Sequence, residues 1–221
     1  MEKEVIIYLK LDELGFEAEC IYEVIITTLN EDGTLNAAPM GILSKDLTSL
    51  VVRPYVTTRT YHNIARTREA VVNVTDDITL FYITIFEKER VKEMPSMRAK
   101  RVSVPILAKS KAYVECVVEE EPVICDGRAD IKMRAVECGV LDRSFRPICR
   151  APNLILESII HFTRIEPLIR NGEISKALKL LELIAFYRDI VQRVCNATRY
   201  EEIVNKIYEE ACRIVKEKGG R

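Results

Sequence analysis

A small β-barrel followed by a helical tail is the fold this sequence predicts, and three observations lead to it. Short β-branched runs bounded by turn residues recur between residues 18 and 141. One brief helical stretch interrupts them, beginning near residue 61. From residue 151 onward the apolar positions change to helical spacing. Seven short strands with one inserted helix argue a barrel rather than a parallel α/β sheet.

The elements follow in order. Residues 18–29 carry Ile21, Val24, Ile25 and Ile26, a run suited to a strand. Asn30-Glu31-Asp32-Gly33 signals a hairpin turn, and residues 35–43 return as the partner strand. Ser44-Lys45-Asp46 turns the chain again before a short strand over 49–53, which Arg53-Pro54 stops. A short helix follows over 61–67, with Ile64 and Ala65 placed to pack inward. Strand-like runs resume at 70–74, 80–86, 112–120 and 131–141. Between Arg90 and Lys111 lies a basic stretch in which Pro95 and Pro105 break any continuous helix, so it reads as a long excursion between strands. In the tail, Pro152 opens a helix that Pro167 ends. Two more helices are predicted over 173–194 and 200–216, separated by Asn196-Ala197-Thr198. The domain reading is a barrel over residues 1–150 and a helical extension over 151–221, with the extension packed on the barrel.

Composition narrows the function. The 221 residues and 25.3 kDa hold one large domain, or a core domain with an appendage, and 48% hydrophobic content fills a sizeable core. A net charge of −1 and a pI near 6.2 favour neither nucleic acid nor a membrane surface. Charged residues reach 30%, with no Trp and glutamine only at Gln192, a lean toward a thermophile-like surface. Seven cysteines weigh against that lean, and none of them forms a CxxC pair, so they are expected to be reduced and structural. The start MEKEVIIYLK lacks the signal-peptide pattern, and no apolar run reaches the ~18–20 residues of a membrane span. A soluble cytoplasmic protein is expected.

The stretch RPYVTTRTYHNIARTREAVVNVTDD, beginning at Arg53, carries the chemistry. A strand leads through a Thr/Arg-rich loop into a helix start, where backbone N–H groups, hydroxyls and two arginines make a ready anion site. Phosphate is the natural ligand. No P-loop, GxGxxG, HExxH or GxSxG motif occurs. Asp76-Asp77 suits a turn or cap better than a metal pair, and His62 and His161 lack neighbours at ligand spacing, so no metal site is predicted.

Thr58-Arg59-Thr60-Tyr61-His62-Asn63-Ile64, then Thr67 and Ala70-Val71-Val72-Asn73-Val74, resemble the phosphate-binding helix and next strand of FMN-binding split-barrel flavoproteins. Asn36-Ala37-Ala38-Pro39-Met40-Gly41 is similar to the strand that faces the flavin there. The combination with Arg53-Pro54-Tyr55 and Asn73-Val74-Thr75-Asp76-Asp77 is closer still to one uncharacterised group within that superfamily, known mainly from archaea.

The resemblance implies a split β-barrel with a helical C-terminal extension, FMN as cofactor, and a homodimer with flavin near the interface. Arg53, Thr57, Thr58, Arg59, Thr60 and the amides up to Asn63 would hold the phosphate. Asn36, Pro39, Met40 and Gly41 would line the ring, and Asn73, Thr75 and Asp76 would meet the ribityl chain or ring edge. The ring itself would carry the redox chemistry, so catalytic side chains stay unassigned. The basic excursion is either a solvated loop or a flap, in which Arg98, Lys100 and Arg101 would attract NADH, NADPH or a small anionic substrate. Two function classes remain open: a flavin-dependent oxidoreductase of the flavin reductase kind, and a non-catalytic flavin-binding module whose tail contacts a partner protein.

Overall fold

The computed structural model describes residues 10–144 and 146–218, so the opening MEKEVIIYL lies outside the described residues. The chain divides into two compact units, Met1–Ile148 and Cys149–Arg221.

In the first unit, β1 (Ile21–Leu29) and β2 (Leu35–Leu43) pair antiparallel over their whole length, Ile21 opposite Leu43 and Leu29 opposite Leu35. The turn between them closes with Asn30 N–H on Thr34 O at 2.9 Å, and Gly33 takes the left-handed φ of +77° that a side chain resists. Next come β3 (Ser49–Val52), α1 (Arg59–Thr67) and β4 (Glu69–Val74). They are followed by α2 (Ile78–Phe86), α3 (Lys88–Val91) and the small hairpin of β5 (Ser96–Met97) and β6 (Ile106–Leu107). Then come β7 (Ala112–Val118), β8 (Val123–Cys125), β9 (Arg128–Val140) and β10 (Ile148–Cys149).

The order β1-β2-β3-β9-β7-β4 closes on itself because β4 pairs back onto β1, Val72 opposite Ile26. Closure removes the open edges that a flat sheet would expose. The pleat sends Val24, Ile26, Leu50, Val52, Ile131 and Met133 into full burial. Trimming Ile26, Leu50, Ile131 or Met133 to alanine costs about 2–5 kcal/mol. Gly139 on β9 is required by its neighbour: a Cβ there would fall 2.4 Å from the Tyr113 ring.

The run at 80–86, expected as a strand, is instead part of α2. Its residues have high β propensity, but burial follows helical spacing: Leu80 and Thr84 are buried, while Tyr82 between them is half exposed. The Asp77 carboxylate caps the helix by accepting Thr79 N–H at 2.8 Å, the cap role expected of this acidic pair. Leu80 and Val91 pack with Ile25, Leu35 and Ala37, which seats the α2–α3 arm over β1 and β2.

The basic excursion is fastened down. The buried Glu115 carboxylate accepts the N–H groups of Lys100, Arg101 and Val102 at 2.9, 2.6 and 3.3 Å. Below it Ala99, Val102, Val104 and Ile106 pack on Val71 and Tyr113. A solvated loop describes only its charged tips.

The second unit holds α4 (Arg150–Arg170), α5 (Ile174–Val194) and α6 (Arg199–Lys218). Ile165, Ile169, Ala177, Ile184 and Ala211 form their shared core. Pro167 does not end α4. The ~3 kcal/mol penalty of an interior proline is offset by burying Ile165 and Ile169 on either side of it. The helix stops at Asn171-Gly172, where Gly172 has a φ of +77° and Glu173 N–H reaches back to Leu168 O.

Candidate functional site

The Thr/Arg loop enters α1 through an N-cap. Thr58 Oγ1 accepts Tyr61 N–H at 3.3 Å and donates to Tyr55 O at 2.7 Å. This leaves the N–H groups of Arg59 and Thr60 with no acceptor among the described residues, aimed along the positive end of the helix. A polar chain fixes where that end points. Asn63 Nδ2 donates to Thr28 Oγ1 and Asn30 Oδ1, both at 3.0 Å. Asn36 Nδ2 donates to Thr28 Oγ1 at 3.0 Å and to Thr60 Oγ1 at 3.3 Å. Thr28, Thr60 and Asn63 are buried, so α1 is held to β1 and β2 by bonds made away from competing water.

A cavity of about 420 Å³ opens at this helix start. Its walls are Asn36, Ala37, Ala38 and Met40 from β2, Thr57–Thr60 from the loop, and Thr84, Lys88, Val91 and Lys92 from the α2–α3 arm, with Asn30 and Leu35 at the hairpin. Three cations, Arg59, Lys88 and Lys92, line it, and no carboxylate does. Arg59 and Lys88 make no ion pair among the described residues, whereas Lys92 Nζ pairs with Glu89 at 3.0 Å. Uncompensated cations beside unpaired N–H donors make an anion site. No lining side chain is Asp, Glu, His, Cys or Tyr, so its ionisable groups are the cations Arg59, Lys88 and Lys92, which suit an anionic ligand.

The residues singled out from sequence divide into three groups. Asn36, Met40, Thr57, Thr58, Arg59 and Thr60 come together on the cavity wall. Asn63 lies directly behind it as a positioning residue. The others are placed elsewhere. Pro39 and Gly41 are not part of the wall, and a Cβ on Gly41 would meet Ile21 instead. Arg53 Nε pairs with the Asp130 carboxylate on β9, and Arg53 does not line the cavity. Asn73 is wholly buried and its amide is fully used. Nδ2 donates to Ile25 O, Thr27 Oγ1 and Val71 O at 3.1, 3.0 and 3.2 Å, and Oδ1 accepts Leu107 N–H and Ser110 Oγ–H at 2.8 and 3.1 Å. Buried Thr75 accepts Asp77 N–H at 3.1 Å, and Asp76 pairs with Lys111 at 3.4 Å. These three residues support the fold; none of them lines the cavity.

In the excursion, Lys100 and Arg101 both face Glu137, at 3.1 and 3.8 Å, and the bond to Glu137 raises the Lys100 pKa. Arg98 is exposed with no ion pair among the described residues, and none of Arg98, Lys100 and Arg101 lines the cavity, although Val91 and Lys92 at the start of the same stretch do. Sequence reasoning missed Lys88, while Lys92 belongs to the basic stretch it had singled out. Reading 80–86 as a strand hid the α2–α3 arm, which brings Thr84 of α2 and Lys88 of α3 to the same wall.

Comparison with known proteins places this geometry in a family. Residues 22–143 match the family described as "Protein of unknown function (DUF447) N-terminal domain". The chain belongs to the DUF447 family. An FMN-bound DUF447 protein from Methanosarcina mazei is 24% identical to it, covering 91% of this chain and 99% of that one, with a TM-score of 0.50. The flavin reductase HpaC, solved in complex with NADP+, is 22% identical, covering 58% of this chain and 84% of that one, with a TM-score of 0.52. This DUF447 chain therefore has the split-barrel fold of the flavin reductase kind, with helices C-terminal to the barrel. No helix among its described residues is long and apolar enough to cross a membrane.

Proposed function

We propose that this DUF447 protein binds FMN in the cavity at the start of α1 and acts as a flavin-dependent oxidoreductase of the flavin reductase kind. The observation that carries the reading is the acid-free cavity where Arg59, Lys88 and the unpaired N–H groups of Arg59 and Thr60 converge. Its chemistry fits a phosphate monoester, and its location on a fold shared with an FMN-bound relative makes FMN the specific choice. Arg59, Thr57 and the helix-start amides would hold the phosphate, with Lys88 and Lys92 adding charge from the arm. Asn36, Ala37, Ala38 and Met40 would form the wall beside the ring.

When bound, the isoalloxazine would supply hydride and electron transfer. The chain's own part would be to orient the ligand and exclude water. A nicotinamide dinucleotide or a small anionic substrate would be drawn in by cations lacking a full counter-charge, namely Lys88 and Arg98. Lys100 and Arg101 share Glu137, which lowers their pull. A homodimer suits this reading because α2 leaves Ile78, Tyr82 and Phe86 exposed one turn apart beside the cavity arm.

Titration of flavin absorbance tests the placement. A charge-assisted bond contributes about 1.5–3 kcal/mol, so Arg59→Ala should weaken FMN roughly tenfold or more. Arg101→Ala should leave it nearly unchanged. Equal affinity in the two variants would refute the phosphate site. Anaerobic bleaching of bound flavin by NADH or NADPH tests turnover, and its absence with both would refute the reductase reading.

A further inference from the structure

We propose that Cys149 and Cys195 are a redox-modification site, a thiol pair that a hydroperoxide converts to an intramolecular disulfide joining the start of α4 to the end of α5. Their sulfurs lie 3.4 Å apart, in contact, although the residues are 46 positions apart in sequence. Cys149 is the N-cap of α4, with extended backbone angles of −105° and 133°. Cys195 is the C-cap of α5, at −144° and 55°. Both therefore sit where a helix ladder ends, and a side-chain rotation there breaks no i→i−4 bond. Closing the gap to the ~2.05 Å of a disulfide asks for about 1.3 Å of sulfur movement, within reach of such rotations. The backbone of Cys195 is meanwhile pinned by its own N–H on Val191 O and by Thr198 Oγ–H on its carbonyl, both within hydrogen-bond distance.

The two thiols differ in access, which sets the order of events. Cys149 is half-buried and Cys195 is fully buried. Cys149, the more accessible of the two, stands at the start of the 21-residue α4 and is the thiol an oxidant reaches first. Its sulfur attacks the peroxide O–O bond and becomes a sulfenic acid, releasing an alcohol, or water when the oxidant is hydrogen peroxide. The Cys195 sulfur then attacks the Cys149 sulfur, the S–S bond forms, and the sulfenic oxygen leaves as water. The sum is two thiols plus ROOH giving a disulfide, ROH and water. The thiols lose two electrons and the peroxide gains them.

The other cysteines provide internal comparisons. Burial pushes the Cys116 thiol up, and Cys138 up to about 12, so both stay protonated. Cys125 is exposed beside the Asp126 carboxylate, and reports oxidant strength.

The test uses the full chain carrying Cys125→Ser, with wild-type protein alongside, treated with hydrogen peroxide under native conditions. After alkylation, peptide mapping by mass spectrometry should find one major linkage, Cys149 to Cys195, two hydrogens lighter and reversed by dithiothreitol. Cys195→Ser should instead collect sulfenic acid at Cys149, trapped by dimedone. Cys149→Ser should leave Cys195 unmodified. Three results would overturn the proposal. One is linkage only after denaturation. Another is Cys149 oxidation in the native chain without linkage. The last is an intact pair at peroxide levels that fully oxidise Cys125 in the wild type. Because the wild-type map alone discriminates, a variant that fails to fold does not blunt the test.

Discussion

Replacing Asn73 by alanine separates a residue that builds the barrel from one that touches a ligand. The Asn73 amide joins β4 to β1 through Ile25 O and Thr27 Oγ1, and joins β4 to the excursion through Leu107 N–H and Ser110 Oγ–H. In Asn73→Ala the last two groups lose their acceptor inside the protein. Each buried donor left unpaired costs about 1–3 kcal/mol, so about 2–6 kcal/mol is lost, with ~3 as a working figure. The carbonyls of Ile25 and Val71 keep other lone pairs, and Thr27 Oγ–H still donates to Pro105 O at 2.8 Å, so these groups add little. At a urea m-value of about 2 kcal/mol/M, ~3 kcal/mol lowers the midpoint by roughly 1.5 M. Circular dichroism during urea unfolding reads this directly, and FMN titration of the folded variant is the companion measurement. The expected result is a much lower midpoint with FMN affinity within about twofold for the fraction that remains folded. An unchanged midpoint combined with a large loss of FMN affinity would refute the structural assignment and return Asn73 to the ligand.

Further outcomes follow from other contacts. Gly139→Ala places a methyl 2.4 Å from the Tyr113 ring and should cost about 1–3 kcal/mol, recovered in part by shortening residue 113 in Tyr113→Val; thermal melts of the single and double variants check it. Glu115→Gln removes the charge that holds three backbone N–H groups, so trypsin should cut after Arg98, Lys100 or Arg101 faster than in wild type, and equal rates would contradict the clamp. The burial that raises the Cys138 thiol to about 12 disfavours its thiolate, so thiol titration with a disulfide reagent at pH 8 should label Cys125 promptly and leave Cys116 and Cys138 unlabelled until the protein unfolds. Sedimentation of the intact chain should give a mass near twice 25.3 kDa, and Tyr82→Glu with Phe86→Glu should halve it.

What the sequence determined by itself was mostly local or periodic. The β1–β2 hairpin is written in Asn30-Glu31-Asp32-Gly33 and the β-branched run before it, because turn type and strand propensity both depend on neighbouring residues. The anion loop was legible for the same reason: Thr58 caps α1 from three residues away, and Arg59 stands in the first turn. The tertiary structure decided where local preference and packing disagreed. Residues 80–86 have strand propensity, yet seating Leu80 and Val91 on β1 and β2 requires a helix, and that choice carries Lys88 to the cavity. Asn73 and Thr75 were grouped with the ligand by their place in a motif, but barrel closure buries them. Arg53 was grouped with Arg59 by proximity in sequence, but β9 brings Asp130 to it from 77 residues away. The partner of a charged or amide side chain is chosen by strand pairing across the chain, and nothing in the residues beside it records that choice.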